Sequence, residues 1–134
     1  MPLISIIIPN YNGGKTISLT LDSLEKQVFN DFEVIIVDDG SRDASVSLIQ
    51  SMIDGNENYT LIEQAQNRGA AAARNVGVKR AKGDIIMFID SDVIINEDAV
   101  KKVSNFFKAH DDADAVVGLP DSRNSFSNWA SQHF

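Results

Sequence analysis

The sequence predicts an α/β protein with a doubly wound, mostly parallel sheet and flanking helices. Three observations lead there. Short runs rich in Ile and Val alternate along the chain with segments whose apolar residues recur at helical spacing. Several of these runs are nearly continuous in apolar residues, which suits strands buried on both faces. The order reads β-α-β-α-β-α-β-α-β, and strands joined by helical crossovers assemble into parallel sheets with right-handed connections.

The first strand is expected over residues 3 to 8 (LISIII) and the second over 33 to 37 (EVIIV). Between them, Ile17, Leu21, Leu24 and Val28 mark one face of a first helix. Ser41 is a candidate N-cap for a second helix, whose apolar face is Val46, Ile49 and Ile53. A third strand follows at 59 to 62 (YTLI). The Ala-rich stretch 69 to 81 reads as a third helix closed by Gly83, with Lys79, Arg80 and Lys82 placed to complement the dipole at its last turn. The fourth strand spans 85 to 89 (IIMFI). A fourth helix begins near Asn96, with Glu97 and Asp98 in its first turn and Val100, Val103 and Phe107 on one face. A fifth strand is expected at 115 to 119 (AVVGL), after which the chain turns Ser- and Asn-rich and loses its periodicity. No internal repeat or interdomain linker is visible, so residues 1–134 read as a single domain.

Composition narrows the function. With 43% hydrophobic and 23% charged residues, the 134-residue chain has the makeup of a folded domain. A net charge of -7 disfavours nucleic acid as a partner, because that binding relies on clustered Lys and Arg to displace counterions. The absence of cysteine excludes disulfides and thiolate metal sites and gives no sign of an oxidising compartment, so a cytoplasmic location is expected. No segment approaches the ~20 apolar residues of a membrane helix, and the opening apolar run lacks the basic leader and length of a signal peptide.

In open α/β sheets, ligands bind outside the carboxyl ends of the parallel strands. Here those ends are unusual: the first strand runs into "PNYNGG", the second into "DDGS" and the fourth into "DSD". Asn10, Tyr11, Asn12, Asp38, Asp39, Asp90 and Asp92 are thereby brought to one sheet edge. Four carboxylates beside amides and an aromatic ring suit a hard divalent cation such as magnesium or manganese, which prefers oxygen ligands. Such a cation would let an acidic site accept a diphosphate.

Four motifs in order, "SIIIPNYNGG", "FEVIIVDDGSRD", "NRGAAAARNVG" and "GDIIMFIDSDV", resemble the nucleotide-binding half of family 2 glycosyltransferases of the Rossmann-like GT-A fold. The match covers nearly 90 residues, and no single motif would carry it alone. The resemblance implies a nucleoside-diphosphate-sugar donor, usually a UDP-sugar, with Mn2+ or Mg2+ as cofactor and a glycan, lipid or other hydroxyl compound as acceptor. By position, Pro9 and Tyr11 flank and stack on the base, and Asp39 accepts a hydrogen bond from the uracil ring N–H. Cytosine offers only an acceptor at that ring nitrogen, so a carboxylate there favours uridine. Asp38 belongs to the same nucleotide-binding set, bracing the loop. Arg74 approaches the base or the phosphates. Asp90 and Asp92 form the DxD, the first reaching the ribose or metal-bound water and the second the metal.

Rival readings exist for single motifs. Tyr11 could simply cover the sheet edge, and Asp38 to Ser41 could be a turn leading into a helix. "NRGAAAARN" is in any case a good helix former. "MFIDSDV" also looks like the nucleophile motif of haloacid-dehalogenase-type phosphatases, with Asp90 as nucleophile and Asp92 as acid/base. That motif normally opens its fold, whereas three strands precede it here. "VIIVDDGS" resembles the acidic pair of response-regulator receivers, but the third strand offers no aspartate to phosphorylate. His110 and His133 are lone histidines, read as surface or core residues. Phe126 and Trp129 are open between core and acceptor pocket.

The family chemistry is sugar transfer with inversion, which needs a general base for the acceptor hydroxyl. In the family that carboxylate lies well beyond the DxD. The expectation is therefore a piece truncated before the acceptor-binding region, with the base beyond Phe134 and Asp121 too early for the role. Such a piece could bind donor without turnover, self-associate through uncovered sheet, and meet a membrane only through the missing C-terminal part.

Overall fold

The computed structural model describes residues 2–120 and 129–132. The chain divides into two compact units, one formed by Met1–Ser18 and Asp31–Asp92 and the other by Leu19–Asn30 and Val93–Phe134.

The first unit holds a parallel sheet of β1 (Ile4–Asn10), β2 (Phe32–Asp38), β3 (Tyr59–Glu63) and β4 (Ile85–Phe88) in the order β3-β2-β1-β4. β1 and β2 are the central strands and are buried almost throughout, as their continuous Ile and Val content requires. Their register runs from Ile4 beside Phe32 to Asn10 beside Asp38, so both strands finish level. α2 (Ser45–Ile53) packs beside β3, and α3 (Ala70–Arg80) lies over β1 and β2. Ala73 of α3 joins Ile35 and Val37 in an apolar cluster edged by Ile62, Val76 and Ala81. α3 can approach this closely because Gly77 faces Ile7, where any Cβ would collide with the Ile7 side chain. The chain winds outward from β1 through β2 to β3, then returns to β4 on the other side of β1. That reversal leaves a crevice at the carboxyl ends of β1 and β4.

In the second unit, the residues of α1 (Ile17–Glu25) from Leu19 onward accompany α4 (Ala99–Ala109), β5 (Val117–Pro120) and β6 (Trp129–Gln132). Leu21, Leu24, Ile95, Val100, Val103 and Phe106 are buried. Gln27 ties the two helices together: its Nε2 donates to Ser23 O and Asn96 O, and its Oε1 accepts from Val100 N at 3.1 Å. His110 stacks on Phe106 at 4.4 Å between ring centroids, so it is a packing residue.

Several expectations are corrected. The parallel sheet has four strands, because the fifth apolar run pairs antiparallel with β6, Val117 opposite Gln132, in a separate two-stranded sheet. The partner run, WASQ, has no apolar pattern to announce it. α1 ends at Glu25, and Val28 is 56% exposed while its N–H donates to Glu97 O. Glu97 and Asp98 precede α4, which begins at Ala99, and Phe106 is its buried aromatic where Phe107 is only half-buried. Ser41 caps no helix; α2 starts after Ala44, and the carboxylate of Asp43 accepts from Ser45 N at 3.0 Å instead. Asp121, Phe126 and His133 lie outside the described residues, as does the side chain of Trp129. No helix among the described residues is long and apolar enough to cross a membrane.

Candidate functional site

A cavity of about 540 Å3 opens at the crevice, lined by residues 9–13, Thr16, Asp39, Ala70, Arg74 and residues 90–92. Its walls come from the ends of β1, β2 and β4 and from the first turns of α3. Of the residues expected from sequence, Pro9, Tyr11, Asp39, Arg74, Asp90 and Asp92 all line it; Asp38 does not.

Asp38 is buried and serves the scaffold. Its Oδ1 accepts from Asn10 Nδ2 at 2.9 Å and Ser41 Oγ at 2.6 Å, and its Oδ2 accepts from Ser41 N at 2.9 Å. Asn10 Nδ2 also donates to Ser45 Oγ at 3.0 Å. These contacts fix the amide so that Asn10 Oδ1 lies beneath Gly13, where a Cβ would collide with it.

The loop after β1 is stitched to the loop after β2. Asn12 has φ 51°, a left-handed conformation that Asn tolerates better than most residues. From there its Oδ1 accepts from Arg42 N at 2.8 Å, and its N–H donates to Ser41 Oγ at 2.9 Å. Gly14 N donates to Asp43 Oδ2 at 2.9 Å. The Asp43 carboxyl titrates below its ordinary value, chiefly because the Ser45 hydroxyl and backbone N–H donate to its charged form. The bracing roles of Asp43 and Ser45 were missed in the sequence, although the Asp- and Ser-rich run "DDGSRDAS" is the composition of side-chain-bonded turns. Thr16, Ala70 and Ser91 were missed as lining residues too. Nothing in their residue types marks them, and only the fold brings them to the cavity.

Asp39, 3% exposed, faces the cavity while holding the start of α3. Its Oδ1 accepts from Arg68 N and its Oδ2 from Gly69 N, each at 2.8 Å. A carboxylate at a helix N-terminus is favoured by the helix dipole. Each oxygen keeps a further lone pair for a ligand. Gly40 makes room for this contact: at φ 77° its Cα passes close to the backbone of Gln66 and Asn67, where a Cβ would collide.

Across the cavity, Arg74 Nη2 pairs with Asp90 Oδ1 at 3.0 Å, their side chains 35% and 61% exposed. Asp92 is exposed on the same rim and makes no hydrogen bond or ion pair with another described residue. Tyr11 presents its ring to solvent at the entrance, 49% exposed. Among the described residues, no three His, Asp or Glu side chains converge into a ready-made metal cage. Two carboxylates at a rim nevertheless suit a magnesium-type cation, which keeps several waters and takes further oxygens from substrate phosphates.

The family model for glycosyl transferase family 2 matches residues 5–134. The chain belongs to that family. It is 42% identical over 106 residues to an uncharacterized glycosyltransferase of Haemophilus influenzae, covering 79% of this chain and 42% of the relative. Among solved structures, S. aureus TarS 1-349 in complex with UDP-GlcNAc superposes with a TM-score of 0.76 at 35% identity, over 81% of this chain and 32% of TarS. The mannosyltransferase PcManGT from Pyrobaculum calidifontis, in complex with GDP-Man and Mn2+, gives a TM-score of 0.77 at 26% identity, over 92% of this chain and 37% of PcManGT. The chain thus spans less than half the length of these relatives, and its α/β fold is GT-A-like. Membership of family 2 removes the grounds for reading Asp90 and Asp92 as a phosphatase nucleophile and its acid/base partner.

Proposed function

We propose that this chain is the donor-binding portion of a metal-dependent glycosyltransferase that moves a sugar from a nucleoside diphosphate, a UDP-sugar, to an acceptor hydroxyl with inversion. The observation that carries this reading is the convergence of Tyr11, Asp39, Arg74, Asp90 and Asp92 on one cavity at the strand-order reversal. UDP-GlcNAc bound to TarS supports the uridine donor, and GDP-Man with Mn2+ bound to PcManGT supports a nucleoside-diphosphate sugar and a divalent cation in general.

Each residue has a task that its position fits. The exposed ring of Tyr11 offers a stacking face for the base, with Pro9 beside it. Asp39, held by two N–H donors, offers an acceptor to the ring N–H of uracil. Arg74 supplies a planar cation suited to phosphate oxygens. Asp92, with Asp90, would hold a divalent cation, whose chemistry is to neutralise charge developing on the departing diphosphate.

One observation favours a second reading, donor binding without turnover. The carboxylates among the described lining residues are Asp39, Asp90 and Asp92, and all have donor-side tasks, so none is left to accept the acceptor's proton. Calorimetric titration with UDP, with and without Mn2+, beside a donor-hydrolysis and transfer assay, tests both readings. Metal-dependent binding with turnover supports the enzyme; the same binding without turnover supports the binding portion alone; a folded sample that binds no UDP overturns both.

A further inference from the structure

Arg74 is the cation that Asp90 already has. It stands in the second turn of α3, a helix whose start is held by Asp39 through Arg68 N and Gly69 N and whose Ala73 is packed against the sheet. The backbone of Arg74 is therefore anchored, and only its side chain is free to change partners. In the present arrangement that side chain neutralises one of the two rim carboxylates. A divalent cation approaching Asp90 and Asp92 meets a guanidinium 3.0 Å from Asp90 Oδ1 and must displace it or endure its repulsion. A diphosphate removes that conflict, because its oxygens can take over the guanidinium in the bidentate manner Arg favours.

We propose that Arg74 is a resident counterion of the cation site, which holds Asp90 until a nucleoside diphosphate draws it away, so that cation and diphosphate bind as mutually dependent partners. The inference rests on the donor-binding reading above and adds to it how the site is regulated. By linkage, whatever factor the diphosphate adds to cation affinity, the cation adds equally to diphosphate affinity. The pair is exposed, so the restraint is modest: an exposed ion pair changes an equilibrium by about two- to fivefold.

The test is Mn2+ binding to the whole chain without nucleotide, read from the loss of the free-ion electron paramagnetic resonance signal, for wild type, Arg74→Gln and Arg74→Lys. Arg74→Gln is expected to bind Mn2+ about two- to fivefold tighter than wild type, while the gain in Mn2+ affinity caused by UDP shrinks. Arg74→Lys, which keeps a cation, is expected to stay near wild type. Mn2+ affinity in Arg74→Gln that is unchanged, weaker or undetectable overturns the proposal, and so does Arg74→Lys tightening as much as Arg74→Gln. Failure of the donor-binding reading looks different: wild type then binds no UDP with Mn2+ present, whatever the variants do with Mn2+ alone.

Discussion

The ends of β2 and β4 each carry two aspartates at one sheet edge, yet the two pairs are built oppositely. Asp38 and Asp39 are almost fully buried, and every one of their carboxylate oxygens accepts at least one protein N–H or O–H. Asp90 and Asp92 are exposed, with a single ion pair between them and the rest of the described protein. Burial with full hydrogen bonding makes a carboxylate part of the architecture. Exposure with spare lone pairs leaves it available to a ligand. Asp39 shares in both states, holding α3 while it faces the cavity.

The comparison breaks most visibly by mutation at its two ends. Asp38→Ala takes one acceptor from the buried amide of Asn10, which keeps Ser45 Oγ, and removes the acceptors of the Ser41 N–H and hydroxyl, and is expected to cost about 2–4 kcal/mol in urea unfolding. A loss below about 0.5 kcal/mol would contradict the scaffold role. Asp92→Asn removes no contact within the described protein and is expected to leave stability within about 0.5 kcal/mol. In calorimetry it abolishes the manganese response of UDP binding. An unchanged response would remove Asp92 from the cation site.

How far the sequence could be read follows from the same physics. β1 and β2 were legible because strands buried on both faces must be apolar throughout, and the cavity was legible because polar and acidic residues at strand ends break that pattern abruptly. The end of α1 was not legible, since Val28 continues the helical period, whereas the chain after Glu25 is held by bonds to residues about 70 positions away, Gln27 to Asn96 and Val100 and Val28 N–H to Glu97 O. β5 was assigned to the wrong sheet because its partner strand, Trp129–Gln132, carries no periodicity. Within the site, the resemblance gave Asp38 to the loop and Asp39 to the ligand side, and Asp38 does bind Asn10 and Ser41 while Asp39 lines the cavity; the contacts of Asp39 to Arg68 N and Gly69 N were not legible, because they form only when the loop before α3 folds back. The pairing of Arg74 with Asp90, 16 residues on, was invisible, because it forms only when α3 lies on the sheet and the loop after β4 turns toward it.

The smallest expected effect concerns pH. The folded-state pKa of Asp43 lies below the ordinary value of 3.8, held down first by the Ser45 hydroxyl. Its contribution to stability is therefore complete above that ordinary value and is lost as the pH falls through the folded value. Asp43→Asn is expected to flatten this acid limb in thermal unfolding measured across pH 2–5, with a slightly lower midpoint than wild type at neutral pH and convergence of the two at the acid end. An acid limb identical to wild type would mean that Asp43 does not brace the two loops.

One cavity is proposed to receive a uridine diphosphate together with its cation. A crystal of the protein soaked with UDP and Mn2+ tests it directly. Density is expected for a uracil ring over Tyr11 with its ring N–H at Asp39, and for Mn2+ at Asp92 beside the diphosphate, with Arg74 turned from Asp90 to a phosphate oxygen. Nucleotide bound elsewhere, or an empty cavity in a crystal whose solution counterpart binds UDP, would contradict it.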